Sequence, residues 1–294
     1  MIRNKKSEVD AIFTADWHLR EDLPVARTDD FLAAQIAKIQ YIGRLQKKHK
    51  CPIYHSGDLF NHWKPSPFLI SLALRYLPDE FYTIYGNHDL PQHNLELADK
   101  SGLNTLKEAG KIQVLHGTHW EKEPTEEDYI YIKDRKLLIW HVMTWKGVLP
   151  WPDCPALSAV RFLKKYRDVD VILTGHNHKT FTAEYKERLL VNPGSITRQE
   201  AGQIDHEPCV FLYSAQTNMV KKHTIPYEIS VISRDHLDKE KERDDRIHAF
   251  ISRINSEKWS DEVSFEENLE RMMQASGVRS SVVSIVRKAV YADF

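Results

Sequence analysis

Val9-Asp10-Ala11-Ile12-Phe13-Thr14-Ala15 runs straight into Asp16-Trp17-His18, and the reading of this stretch decides the fold. A short, mostly apolar run reads as a buried β-strand, and the polar turn after it presents a carboxylate and an imidazole two residues apart. The same pattern recurs along the chain. Ile53 to Ser56 leads into Gly57-Asp58-Leu59-Phe60, and Phe81 to Tyr85 into Gly86-Asn87-His88-Asp89. Leu137 to Trp140 ends in His141, and Val171 to Thr174 runs into Gly175-His176-Asn177-His178. Every motif sits where a strand ends and a loop begins. In open α/β sheets, that edge beyond the carboxyl ends of the strands is where sites form.

Helical patterns lie between these strands. Asp29 to Lys48 places Leu32, Ile36, Ile39 and Ile42 on one face, and Pro67 to Leu77 and Ala156 to Tyr166 are further helices. Later strands are expected at Thr180 to Tyr185, Leu189 to Val191, Val210 to Tyr213 and Met219 to Ile225. The mixture predicts an α/β layered fold with sheets at its centre, flanked by helices. Composition shifts near residue 233. The charge run Asp235 to Arg246 reads as a solvated helix face or linker. Beyond it, Ile247, Phe250, Ile251 and Ile254 keep helical spacing, as do Phe265, Leu269, Met272 and Met273, and then Val278, Val282, Val286 and Val290. Ser276-Gly277 marks the break between the last two helices. Residues 1–232 are therefore expected to form the main domain, and 233–294 a small helical unit.

Composition narrows the class. The 294 residues carry 41 Lys and Arg against 42 Asp and Glu, so any binding to nucleic acid would rest on local patches and bound metal. The N-terminal residues lack the apolar core of a signal peptide, and no run approaches the roughly 20 apolar residues of a membrane helix. Cys51, Cys154 and Cys209 form no Cys-x-x-Cys pair, which argues against disulfide frameworks and thiolate zinc sites and fits a cytoplasmic protein. Fifteen histidines make position more informative than number.

Imidazoles and carboxylates together suit Mn, Fe, Zn or Ni better than Ca. Asp-x-His and His-x-His work on extended loops, where side chains two apart project to one side. Glycine before Asp58, Asn87 and His176 allows the backbone to pass close to an ion.

The ordered set D-x-H, G-D, G-N-H-D, H, G-H-x-H, spread over residues 9 to 200, resembles the calcineurin-like metallophosphoesterases. The resemblance implies a layered β-sandwich flanked by helices and two divalent metal ions, with Mn²⁺ favoured and Mg²⁺, Fe²⁺ or Zn²⁺ as alternatives. It places Asp16, His18 and His178 at one ion, Asn87, His141 and His176 at the other, and Asp58 between them. It also implies phosphodiester hydrolysis by attack of a metal-bound hydroxide, with His88 as general acid and Asp89 orienting its ring.

Two elements are similar to the Mre11/SbcD-type DNA repair nucleases: Gly57-Asp58-Leu59-Phe60-x-x-x-x-Pro65-Ser66, and Asn192-Pro193-Gly194-Ser195-x-x-Arg198. Members of that group often place a His directly after the Phe. Here Asn61 stands there, with His62 next, and Asn61, His62 and Arg198 are the substrate-contact candidates. The resemblance implies a nuclease acting on DNA, and a Rad50/SbcC-type ATPase as partner. The C-terminal helices from Phe265 to Val290 are the expected contact for that partner, or for a second copy of the chain. Lys64, Lys164, Lys165, Lys179, Lys221 and Lys222 are candidates for the DNA backbone. Two readings compete with the nuclease: the same chemistry on a nucleotide or other small phosphodiester, and a degenerate fold serving as a non-catalytic protein-binding scaffold.

Overall fold

The computed structural model describes residues 8–116, 118–119, 123–256 and 265–291. Contacts divide the chain into two compact units, Met1–Ser233 and Arg234–Phe294. The first unit opens with β1 (Ala11–Thr14), α1 (Phe31–His49), β2 (Ile53–His55), α2 (Pro67–Tyr76) and β3 (Phe81–Thr83). It continues with α3 (Gly102–Glu108), β4 (Gln113–Val114), β5 (Thr118–His119), β6 (Tyr129–Ile132) and β7 (Arg135–His141). It closes with α4 (Ala159–Lys165), β8 (Val171–Gly175), β9 (Phe181–Tyr185), β10 (Arg188–Asn192), β11 (Cys209–Ser214) and β12 (Met219–Thr224).

The strands form two six-stranded sheets, one ordered β12-β11-β1-β2-β3-β4 and the other β5-β7-β8-β10-β9 with β6 beside β7. Side chains alternate between layers because successive residues of a strand face opposite ways. Ala11 and Phe13 of β1 join Leu137 and Ile139 of β7 and Val171 and Leu173 of β8 in the core between the sheets. Ile12 and Ile53 instead face α1 to α3, meeting Ile39, Ile42, Leu69 and Leu103. On the far side, Leu138, Trp140, Ile172 and Leu190 pack on Phe162 and Leu163 of α4. The result is a helix–sheet–sheet–helix sandwich, the α/β class read from the sequence.

Local chemistry sets the helix starts. Asp30 caps α1 by accepting from the Ala33 N–H at 3.0 Å, and Ser66 caps α2 at 3.1 Å from Leu69 N with Pro67 at the first helical position. The Pro65-Ser66 pair of the second motif is thus a helix-starting device, with Pro65 packed on Gly102, where a Cβ would lie 2.2 Å from its ring. Four elements have no counterpart in the sequence reading. β4 and β5 are two residues long, β6 is an addition to the outer edge of β7, and α3 opens on a glycine that only the Ser101 cap makes a workable start.

In the second unit, α5 (Asp235–Ser256) carries the charge run, and α6 (Phe265–Ala275) and α7 (Ser280–Tyr291) flank the expected break, where Gly277 takes φ +59°. Arg287 of α7 holds Glu270 of α6 through two hydrogen bonds of 2.8 and 2.6 Å. The side chains of Phe250, Ile251, Ile254, Phe265 and Val290 lie outside the described set. No helix among the described residues is long and apolar enough to cross a membrane.

Candidate metal centre

The parallel strands β1, β2 and β3 of one sheet, and β7 and β8 of the other, release their loops at a common end of the sandwich. That end gathers all seven predicted ligands and His88. Three sets of ligand atoms lie within 4.8 Å of one another: Asp16, His18 and His178; His18, Asp58 and His88; Asp58, His141 and His176. Asp58 joins the halves. Its Oδ1 accepts from the His88 backbone N–H at 2.8 Å. Its Oδ2 lies 3.5 Å from His18 Nε2 and 3.2 Å from His141 Nε2.

Asn87 completes the second half, with Oδ1 3.0 Å from His141 Nε2 and 3.0 Å from His176 Nδ1. The two ring nitrogens stand 3.3 Å apart, and in the first half His18 Nε2 and His178 Nε2 are 3.0 Å apart. Atoms sharing one ion at about 2.1 Å are separated by roughly 3.0–3.4 Å, so these spacings fit a divalent cation. Asp16 Oδ2 is buried with no hydrogen-bond partner among the described residues, which also fits a ligand. Donor type and geometry agree with two borderline-to-hard divalent ions.

The electrostatics follow from burial and mutual attraction. Burial lowers His18 well below its ordinary value and takes His176 down to about 4, with repulsion from His141 adding to the latter. Burial also raises Asp16. For His141 burial works downward, but attraction to Asp58 outweighs it and lifts the ring to about 9. Asp58 is held well below the usual carboxylate range: burial alone would raise it, and His141 more than offsets that. The Ser56 carbonyl accepts from His141 Nδ1 at 2.7 Å, directing Nε2 into the cluster.

Backbone shape differs from the extended loops expected. Asp16 (φ 49°), His18 (φ 46°), Asp58 (φ 60°) and His176 (φ 75°) all take the left-handed region. Such strain in non-glycine residues persists only where the surroundings enforce it, and it clusters at functional sites. Close approach requires all three flanking glycines, and Gly57, where a Cβ would lie 2.7 Å from His141 Nδ1, also takes φ +92°. A Cβ on Gly86 would sit 2.1 Å from Asp58 Oδ1, and one on Gly175 2.6 Å from the Ser56 carbonyl.

Asp89 has a different task from the one expected. The His88 ring is held through Nδ1 by the Asn61 carbonyl at 2.8 Å, so Asn61 serves through its backbone. The Asp89 carboxylate instead accepts from the backbone of Asp58 (2.8 Å), Leu59 (3.3 Å), Phe60 (3.1 Å) and Gly86 (3.0 Å). Burial and the nearby Asp58 push Asp89 up to about 7, against those donors. Asp89 is a clamp on the loop that presents Asp58. Asp89→Ala leaves buried N–H groups unpaired and is expected to cost about 3 kcal/mol or more of stability, read from the denaturation midpoint. A ring-orienting role would slow turnover and leave stability unchanged.

Arg198 is also corrected. It is 1% exposed, donates to the Ile204 carbonyl at 3.0 Å and to the Glu228 carbonyl, and lies 4.8 Å from the Tyr227 ring. It braces the loop after β10 and does not face a substrate. Close by, burial pulls the Lys38 ammonium down from 10.5 to about 8, with Arg27 and Arg198 adding repulsion. The unfolded chain then holds more protons between these values, so Lys38 makes stability rise as pH climbs from about 8 to 10.5. Subtracting the unfolding profile of Lys38→Met from that of the wild type should expose this slope, at most about 1.4 kcal/mol per pH unit.

His62 is exposed and accepts from the Lys64 N–H at 3.2 Å. Trp17, which stands beside a ligand motif, is fully buried and donates to Thr14 Oγ1 at 2.7 Å, so it packs and does not touch substrate. Of the candidate DNA-backbone lysines, Lys165 pairs with Glu123 at 2.6 Å and Lys222 with Glu207 at 2.7 Å. Asn192, to which the sequence alone assigns no role, donates through Nδ2 to the carbonyls of Asn177 (2.5 Å) and Lys179 (2.6 Å) and so holds the His176–His178 loop. Its place in the Asn-Pro-Gly-Ser motif was the available signal.

Residues 13–217 match the family model described as the calcineurin-like phosphoesterase superfamily domain. The chain belongs to the calcineurin-like phosphoesterase superfamily. A 121-residue stretch is 31% identical to the probable metallophosphoesterase MJ0623 of Methanocaldococcus jannaschii, spanning 41% of this chain and 60% of that relative's length. Among solved structures, the superfamily domain is similar to an archaeal phosphodiesterase (15% identity, TM-score 0.41, 73% of this chain and 99% of that one). It is likewise similar to a putative 5′-nucleotidase of Staphylococcus aureus (14%, TM-score 0.41, 79% and 58%). A third is Vps29 of Entamoeba histolytica (18%, TM-score 0.36, 74% and 99%).

Proposed function

We propose that this chain is a two-metal phosphodiesterase whose substrate is DNA. The observation that carries the reading is the pair of ligand clusters sharing Asp58, with His88 set against one of them. The His18 and His88 rings meet edge-on with centroids 4.7 Å apart. Asp16, His18 and His178 would hold one ion and Asn87, His141 and His176 the other; the donors suit Mn, Fe, Zn or Ni, and the resemblance to the Mre11/SbcD group implies Mn²⁺ among them. When bound, two such ions neutralise phosphate charge and lower the pKa of water to make a nucleophile. The chain's own residues do the rest. Asp58 fixes the spacing of the halves, the Ser56 carbonyl orients His141, and the Asn61 carbonyl holds His88 by Nδ1. With Nδ1 so engaged, Nε2 is the atom left to pass a proton to the departing oxygen.

DNA as substrate rests on the likeness of Gly57 to Ser66 and Asn192 to Arg198 to the Mre11/SbcD group, and on an open cleft of about 1250 Å³ beside Asn87 and His176. The test is incubation of end-labelled single- and double-stranded DNA, and of a small chromogenic phosphodiester, with Mn²⁺, Mg²⁺ or chelator. Metal-dependent shortening of DNA is expected. Cleavage of the small ester alone transfers the assignment to a small-substrate enzyme, and cleavage of neither leaves the scaffold reading.

The proposal extends to the C-terminal helices as a surface for an ATPase partner or a second copy, supported by Val282 and Ile285 of α7, 40% and 67% exposed. A monomer by light scattering would remove the second-copy reading.

A further inference from the structure

We infer that the cleft beside the second half of the metal centre receives an unpaired nucleobase, so that the enzyme acts on single-stranded nucleic acid; this rests on the phosphodiesterase reading above. The cleft is lined by Asn87 and His176 of the site and by Trp140, Phe162, Tyr166 and Trp151. The first three aromatics are buried in the packing of α4 against its sheet and make a fixed floor. Trp151 differs. It is 48% exposed, and a large flat side chain exposed in the lining of a cleft is a platform for stacking.

Charge argues for a base there rather than a phosphate. Among the described residues, the one Lys or Arg lining this cleft is Lys165, which is paired with Glu123 at 2.6 Å, and Glu96 adds a further negative group. A second phosphate would be repelled, whereas a neutral, flat, hydrogen-bonding unit fits the aromatic side chains and the amides of Gln92 and Asn94 that also line the cleft. Size argues for a polymer. At about 1250 Å³ the space exceeds the roughly 1,000 Å³ upper range of ordinary small-molecule pockets. A paired base keeps its faces inside the duplex, so only an unpaired one can enter.

The cleft and His88 border different ligand groups of the site. His88 clusters with His18 and Asp58, while the cleft abuts Asn87 and His176 of the other half.

The experiment measures fluorescence anisotropy of a labelled, hydrolysis-resistant phosphorothioate oligothymidylate with the Mn²⁺-loaded protein, beside an abasic oligomer of the same length and charge. The base-bearing oligomer should bind about tenfold more tightly, the size of one base–aromatic stack. Trp151→Ala should bring that ratio close to one, and Trp151→Phe should preserve it. Equal binding of the two oligomers by the wild type, or an unchanged ratio in Trp151→Ala, would overturn the assignment. If neither oligomer binds while the small phosphodiester is still hydrolysed, the DNA reading falls together with the cleft, and the phosphodiesterase reading stands.

Discussion

Asp58→Ala abolishes metal-dependent turnover and weakens both ions together. Asp58 Oδ2 lies 3.5 Å from His18 Nε2 in one half of the site and 3.2 Å from His141 Nε2 in the other. No other carboxylate among the described residues belongs to two of the ligand groups. Loss of a partner that merely orients a ligand costs about 10–100-fold in affinity, and removal of a shared ligand should exceed that at both positions. Thermal unfolding gives a second reading of the same event. Mn²⁺ at about 100 times its dissociation constant stabilises a one-site protein by about 2.7 kcal/mol. That gain should be present in the wild type and largely missing in Asp58→Ala. A variant that loses one ion and keeps the other at wild-type affinity would show that Asp58 does not bridge.

His88→Ala leaves metal binding near the wild-type level and lowers kcat by about 10²–10⁴-fold, the usual worth of a positioned general acid. The ring belongs to the His18–Asp58–His88 group, yet its Nδ1 is engaged with the Asn61 carbonyl at 2.8 Å. Its backbone N–H, which fixes Asp58 Oδ1 at 2.8 Å, is untouched by the substitution. The loss should shrink on substrates with a good leaving group such as nitrophenolate, which needs no proton to depart. Single-turnover hydrolysis and calorimetric Mn²⁺ titration of the same variant separate the two effects. A parallel collapse of metal affinity would make His88 a ligand and remove the acid role.

The sandwich and the candidate ligands are legible because each depends on a few consecutive residues. Val171 to Leu173 is an unbroken apolar run, and the candidate ligands His176 and His178 follow within three residues of the strand's end at Gly175. Sequence did not disclose the contacts that join distant segments. Asp89 and the loop it clamps are 29 to 31 residues apart, so nothing in Gly-Asn-His-Asp tells an acid-orienting carboxylate from a backbone clamp. Arg198 looks like a free cation beside a motif, and only the return of Ile204 and Glu228 buries it. The left-handed backbone at Asp16 and His18 also escaped the reading. Spacing by two suits an extended strand, and the strain is imposed by the hydrogen bonds of His18 N to the Asp58 carbonyl (3.0 Å) and Asp16 N to the Gly57 carbonyl (3.2 Å). The aromatic cleft is built from segments near residues 87–96 and 140–166, and no local pattern announces it.

The most direct test of the two-metal centre is anomalous diffraction at the manganese edge from crystals grown with Mn²⁺. Two peaks are predicted, one among Asp16, His18 and His178 and one among Asn87, His141 and His176, both within bonding distance of Asp58. A single peak, or manganese bound away from these residues, would contradict the account.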